Sequence, residues 1–297
     1  MNANWLDTNY LSPQKRFVNF KWAEKSRPNV EFVEVEKASV RVRTAGEGDP
    51  TIVFLTDPPN VVEHYDRLFE IISPWARVVC IETPGFGFSF PKSNFDFTLA
   101  DYTETTGEIL TKLKMFPSIL VLPCVTTYIG LKLAAAHPHL VSKLFLMQAP
   151  NWEEEIKWSE RIDRTGIIHK PFVGQMLMMF KKNMIAQRWY SAALANKERA
   201  PEFTASAYAA HNHGACFCLA SFTQTWFRGD SPKFANIQQP AQVLWGMADK
   251  SHRKSRKETI LEYVPKANYL ESKTVGHFPE LEEPEVFNEH LKRFALG

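Results

Sequence analysis

Residues 120–130 read LVLPCVTTYIG and set a thiol where the chain turns from strand to helix. The apolar run Ile119–Leu122 has strand character, Pro123 and Cys124 follow, and a helical pattern takes over at once. A side chain on such a turn meets the N-terminal end of a helix, whose field lowers a thiol's pKa. The chemistry this predicts is nucleophilic: a thiolate, formed at neutral pH, attacking the acyl carbon of an ester, lactone or thioester. Two features oppose it. A cysteine between apolar segments is, by itself, a small buried apolar residue. The glycines that usually permit so tight a turn are also missing.

Other chemistry-bearing residues are weaker signals. HNHGACFC brings His211, His213, Cys216 and Cys218 within eight residues, but HxH and CxC spacings lack the CxxC geometry of a metal centre. No metal and no cofactor are expected. QMLMMF at 175–180 and Trp152, Trp158, Trp189, Tyr190, Phe222 and Trp226 have helical spacing and read as packing, some of them lining an apolar pocket over Cys124. HRKSRK at 252–257 has no interleaved aromatics and reads as a solvated helix face. With 35 Lys+Arg against 33 Asp+Glu, no global field favours a polyanion, so no nucleic-acid partner is expected. Four cysteines in 297 residues make no disulfide framework, no run is long enough to span a bilayer, and MNANWLDTNYLSPQKRF carries no apolar leader core. The expectation is a cytoplasmic chain with a small-molecule substrate and no membrane partner; the oligomeric state is unreadable.

The elements that must position the thiol follow an alternating rhythm. Residues 30–36 and 39–45 alternate apolar and polar and predict two antiparallel strands. TIVFL at 51–55, ARVVCIE at 76–82, SILVL at 118–122 and KLFLMQ at 143–148 are continuous apolar runs with helical patterns between them. From Asn151 the rhythm breaks into helices, and AQVLWG at 241–246, ETILEYV, ANYLES and EVFNEHLKRFA then restore strand, helix, strand, helix. This predicts an α/β fold: a mostly parallel sheet with helices on both faces, its core made of 1–150 and 236–297, interrupted by a helical cap over 151–235.

Five stretches together carry a resemblance: TIVFL and its loop, IETPGFGFSFP at 81–91, AAAHPHLVSKLFLMQAP at 134–150, VLWGMADK at 243–250, and GHFPELEEPEVF at 276–287. In this order they resemble the α/β-hydrolases, and the cap is similar to the branch with haloalkane dehalogenases and epoxide hydrolases. The resemblance implies that Cys124 stands at the nucleophile elbow of the G-x-S-x-G type, here Leu122-Pro123-Cys124-Val125-Thr126, with Asp249 as the acid and His277 as the base. A Cys-His-Asp triad of this kind implies a Cys-dependent acyl hydrolase acting on an ester, lactone or thioester of an apolar small molecule. It disfavours alkyl-halide and epoxide opening, which need a carboxylate nucleophile.

The sequence departs from the family at two points. Leu122 and Thr126 replace the elbow glycines and should crowd the turn. Where the family usually reads His-Gly after the third strand, this chain reads Thr56-Asp57-Pro58-Pro59, so the residue expected to donate to an oxyanion is a proline without an N–H. The Val125 N–H remains, helped by the Thr56 or Asn60 side chain, with Trp152 expected at the substrate. Two alternatives follow from these departures: non-hydrolytic use of the same site, in acyl transfer, cyclisation or C–C cleavage, or an inert homologue that binds a small apolar ligand.

Overall fold

The computed structural model describes residues 3–10, 18–227, 232–234 and 237–297. Eight strands form the path of the main sheet: β1 Val30–Glu34, β2 Ala38–Ala45, β3 Thr51–Leu55, β4 Arg77–Ile81, β5 Ser118–Pro123, β6 Val141–Met147, β7 Ala241–Gly246 and β8 Asn268–Ser272. Their order is β1-β2-β4-β3-β5-β6-β7-β8, with Phe90–Pro91 paired additionally to β2. β2 runs antiparallel to β1 and β4, and the pairs from β4 to β8 are parallel. Every residue of β3, β5 and β7 is buried, which is why these strands read as unbroken apolar runs: helices cover both faces.

The covering helices are α1 Asp66–Ile72, α2 Leu99–Lys112, α3 Thr126–Ala136 and, after the helices that follow β6, a C-terminal helix Pro284–Leu296. Between β6 and β7 the described chain forms α4 Trp152–Ile162, α5 Val173–Ala193, α6 Ala200–Asn212 and α7 Leu219–Trp226. The expected cap boundary at 235/236 lies outside the described residues. This helical segment is pinned to the core by a two-residue pairing of Cys216–Phe217 with Phe86–Gly87, inside PGFGFS. Gly87 is needed there, because its φ is +58° and a Cβ would run into the buried Glu82 carboxylate.

Three expectations change. ETILEYV is not an α-helix: Lys257–Glu262 is a 3-10 turn, stopped by the Val264-Pro265 step. HRKSRK is a run of turns and not a helix face, and its His252 is buried, 3% exposed. The helical pattern between TIVFL and ARVVCIE begins as a 3-10 turn, Val62–Tyr65, before α1. In HNHGACFC, His211 Nδ1 pairs with Asn183 Oδ1 at 2.6 Å and His213 stacks on Trp22 at 4.2 Å, so both histidines serve packing.

Candidate active site

The thiol sits on a left-handed turn. Cys124 has φ +47°, a conformation that costs a side-chain-bearing residue about 1–3 kcal/mol unless its surroundings enforce it. They do so with hydrogen bonds. Cys124 N donates to Met147 O at 2.7 Å, extending the β5–β6 ladder past Pro123. Thr126 Oγ1 donates to Pro123 O at 2.6 Å, and Thr127 Oγ1 to Leu122 O at 2.8 Å. The expected crowding by Leu122 is absorbed one helical turn along α3, because the Leu122 side chain lies where a Cβ on Gly130 would stand. The glycine missing from the strand side reappears on the helix side.

Asp249 follows β7 and His277 follows β8, so loops at the ends of parallel strands bring both toward Cys124. His277 Nδ1 lies 2.7 Å from Asp249 Oδ2, and both side chains are fully buried. Gln148, at φ +49° just past β6, holds the same carboxylate: its Nε2 donates to Asp249 Oδ2 at 2.8 Å and its Oε1 accepts from Gly246 N at 2.5 Å. Burial is the largest single influence on His277 and opposes its charge, but Asp249, together with Cys124 and Asp57, holds the imidazole well above its usual range. Burial likewise opposes the Asp249 carboxylate, and His277 beside it keeps its pKa below the ordinary value.

Two carboxyl groups at this site had no sequence signature of chemistry. Asp57 Oδ2 is 3.3 Å from His277 Nε2, so the imidazolium lies between Asp249 and Asp57. Glu155, on α4 and 0% exposed, places Oε1 at 3.7 Å from Cys124 Sγ and Oε2 at 3.4 Å from the Tyr128 hydroxyl. Burial pushes Glu155 up to about 8, so it is a neutral acid at pH 7. Burial pushes the Cys124 thiol up as well, and Asp57, joined by Glu155 once that group ionises, adds to it against the lowering by His277. The resting sulfur is therefore a thiol, and the thiolate expected from the helix terminus is not the ground state. The start of α3 is buried together with the thiol, so the desolvation cost of a charged sulfur opposes the field of the helix terminus.

The thiol opens on a cavity of about 410 Å³, lined among others by Asp57, Pro58, Val125, Trp158, Trp189 and Phe222. Among the described residues no acceptor takes the Val125 N–H, so this donor is available at the cavity wall. The other expected contributors stand elsewhere. Thr56 Oγ1 accepts from Thr83 N at 3.1 Å, tying two loops together away from the cavity. Asn60 does not line the cavity; its Oδ1 accepts from Tyr190 at 3.1 Å, while its Nδ2 is buried without a hydrogen-bond partner among the described residues. Trp152 packs on Tyr128 and Trp226, behind the lining. Trp158 and Trp189 border the cavity instead, and the Trp189 ring meets the His277 ring nearly at right angles, with centroids 4.9 Å apart. His252 also reaches this cluster, its ring nearly parallel to Trp158 at 4.7 Å; burial pushes it down to about 3, so it is neutral.

The family described as the alpha/beta hydrolase fold matches residues 60–284, well over half of the chain. No curated protein sequence matches it. Among solved structures, epoxide hydrolase A from Mycobacterium thermoresistibile is similar over 91% of this chain and 99% of its own, with 16% identity and a TM-score of 0.74. A loop variant of a haloalkane dehalogenase from Bradyrhizobium elkanii covers 90% and 96%, with 16% identity and a TM-score of 0.64. An enzyme described as degrading N-acyl homoserine lactones covers 89% and 100%, with 21% identity and a TM-score of 0.65. Among the described residues, no helix is long and apolar enough to cross a membrane.

Proposed function

This chain belongs to the α/β-hydrolase family, and on that premise we propose that it is a Cys-dependent acyl hydrolase of an apolar ester, lactone or thioester. Cys124 is the nucleophile, His277 the base and Asp249 its orienting acid. The observation that supports this most is the enforced left-handed turn at Cys124, with a ring nitrogen of His277 within 4.8 Å of the sulfur and the opposite nitrogen held by Asp249. Strain of this kind persists where a side chain must be presented to a reactant.

The proton inventory assigns Asp57 a part. At rest His277 carries a proton on Nε2, shared toward Asp57, and the thiol keeps its own. As the acyl carbon approaches, the Nε2 proton passes to Asp57 and the thiol proton to Nε2, and the thiolate attacks. The leaving oxygen or sulfur departs with the proton from His277, and water then hydrolyses the thioester. The cavity walls, mostly aromatic and aliphatic, suit an apolar acyl group, with the helical cap over Cys124 selecting its size.

The test is intact-mass detection of one acyl group per chain after mixing with an activated ester. The adduct should map to Cys124 and disappear in Cys124→Ala, His277→Ala and Asp249→Asn. A folded parent that never forms it, across short and medium acyl chains, sinks the proposal. A second reading has one observation in its favour: Pro58 borders the cavity without an N–H, leaving Val125 as the backbone donor. Loss of one oxyanion donor costs about a hundredfold or more in rate. A reaction that develops less charge on oxygen, such as acyl transfer, cyclisation or C–C cleavage, would suffer less. Adduct formation without net hydrolysis would favour it.

A further inference from the structure

His252 has no part in the relay just described, yet it is 3% exposed beside Cys124 (1%) and His277 (0%). The Cys124 sulfur and one ring nitrogen of each histidine all lie within 4.8 Å of one another. Nδ1 of both rings is engaged, in His277 with Asp249 Oδ2 at 2.7 Å and in His252 with Ser255 Oγ at 3.0 Å. Nε2 of both is buried without a hydrogen-bond partner, although His277 Nε2 has Asp57 at 3.3 Å. Buried ring nitrogens are seldom left so.

We propose that Cys124, His252 and His277 together bind a zinc-class divalent cation, a site that rests on the same residues as the acyl-hydrolase reading. One sulfur and two imidazoles make a borderline-soft donor set, right for Zn²⁺ and wrong for Mg²⁺ or Ca²⁺, which require oxygen. The outer partners are those that metal-bound histidines use: a carboxylate on one ring and a hydroxyl on the other, each fixing Nδ1 and leaving Nε2 for the ion. Two imidazoles on one tetrahedral ion at 2.0–2.1 Å have ring centroids roughly 5 Å apart; those of His252 and His277 are 5.4 Å apart. The ligands come from three loops, after β5, β7 and β8, and of the three Cys124 borders the cavity, as Asp57 does.

Binding exchanges two protons for the ion, one from the Cys124 thiol and one from Nε2 of the His277 imidazolium: both go to buffer, Zn–S and Zn–N bonds form, and no oxidation state changes. The ion occupies both the attacking sulfur and the accepting nitrogen. Zinc is therefore an inhibitor of acylation at this site.

The test uses the full chain stripped with chelator, titrated with Zn²⁺ alone and, separately, with Co²⁺ alone. One ion should bind per chain, and cobalt should give a sulfur charge-transfer band that Cys124→Ser lacks. His252→Phe keeps a ring against Trp158 but offers no nitrogen, and His252→Gln guards against a packing artefact. Both should lose more affinity than the roughly 100-fold typical of an outer partner. Zn²⁺ that blocks acylation of the parent should leave the folded His252 variants acylated. No stoichiometric binding, or equal binding by parent and both His252 variants, overturns the site. Zinc binding without acylation in any variant would instead remove the acyl-hydrolase reading and leave the ion site standing.

Discussion

Asp57→Asn should speed alkylation of Cys124, although it removes the group to which the His277 Nε2 proton passes during acylation. Asp57 Oδ2 and His277 Nε2 are 3.3 Å apart with both side chains buried, so at an effective dielectric of about 20 their charges interact by roughly 5 kcal/mol. That is an upper bound on what the neighbouring thiol can feel. A charge within 4–6 Å typically moves a pKa by about 1–3 units, or roughly 1.4–4 kcal/mol, which lies inside the bound. In the asparagine variant the thiolate loses a repelling anion, while Asp249 still holds the imidazolium. Each unit of lowered thiol pKa gives about tenfold more thiolate, partly cancelled because nucleophilicity falls with a Brønsted slope of roughly 0.4–0.5. The net expectation is about 3- to 60-fold faster alkylation by iodoacetamide at pH 7, measured by mapping Cys124 peptides over time with Cys80 as the buried internal reference. Equal or slower alkylation in a variant with an unchanged melting curve would refute the placement of Asp57 as the competing anion.

Three further outcomes follow from the same geometry. Glu155 titrates at about 8, so the pH profile of Cys124 alkylation should flatten above that pH as its charge raises the thiol; Glu155→Gln should remove the inflection, and its survival there would exclude Glu155. Glu280 is buried, its carboxyl oxygens lack hydrogen-bond partners among the described residues, and burial raises it to about 8 from an ordinary value near 4.5. A raised carboxyl leaves stability intact below its unfolded pKa and removes it as pH climbs toward the folded one, so the parent's melting temperature should fall between pH 5 and 8, and less so in Glu280→Gln. Pro58→Gly should restore an N–H at the cavity wall and raise turnover of an activated ester, at some cost in stability; no gain in a folded variant would mean that no oxyanion forms near residue 58.

The central strands were readable because they are buried on both faces, which forces runs such as TIVFL and AQVLWG, whereas their order across the sheet was not. The elbow was readable from the strand-to-helix change around Pro123. What the sequence concealed was carboxylate placement. WEEEIK looks like ordinary acidic enrichment of a helix start, yet Glu153 is exposed, Glu154 pairs with Lys157, and Glu155 is wholly buried. One signal was there: Glu155 falls three residues after Trp152 and three before Trp158, on the apolar stripe of α4. Asp57 had none, since a turn aspartate before prolines is common and only the tertiary fold brings it to His277. His252 was hidden for the same reason, inside a basic run whose charges dominate its reading.

Leu122 and Gly130 have a consequence for how such an elbow can change over generations. With Gly130 in place, Leu122→Gly would leave an unfilled volume beneath the turn; with Leu122 in place, Gly130→Ala would force the leucine aside. Each single step is penalised, while the two together exchange the bulk from one side of the contact to the other. The effects of the pair should be strongly non-additive. A lineage at either arrangement is held there by its partner residue and not by its chemistry, so the absence of glycine before a nucleophile need not signal a lost one. Attempts to restore a glycine-flanked elbow in this chain would have to rewrite the helix in the same step.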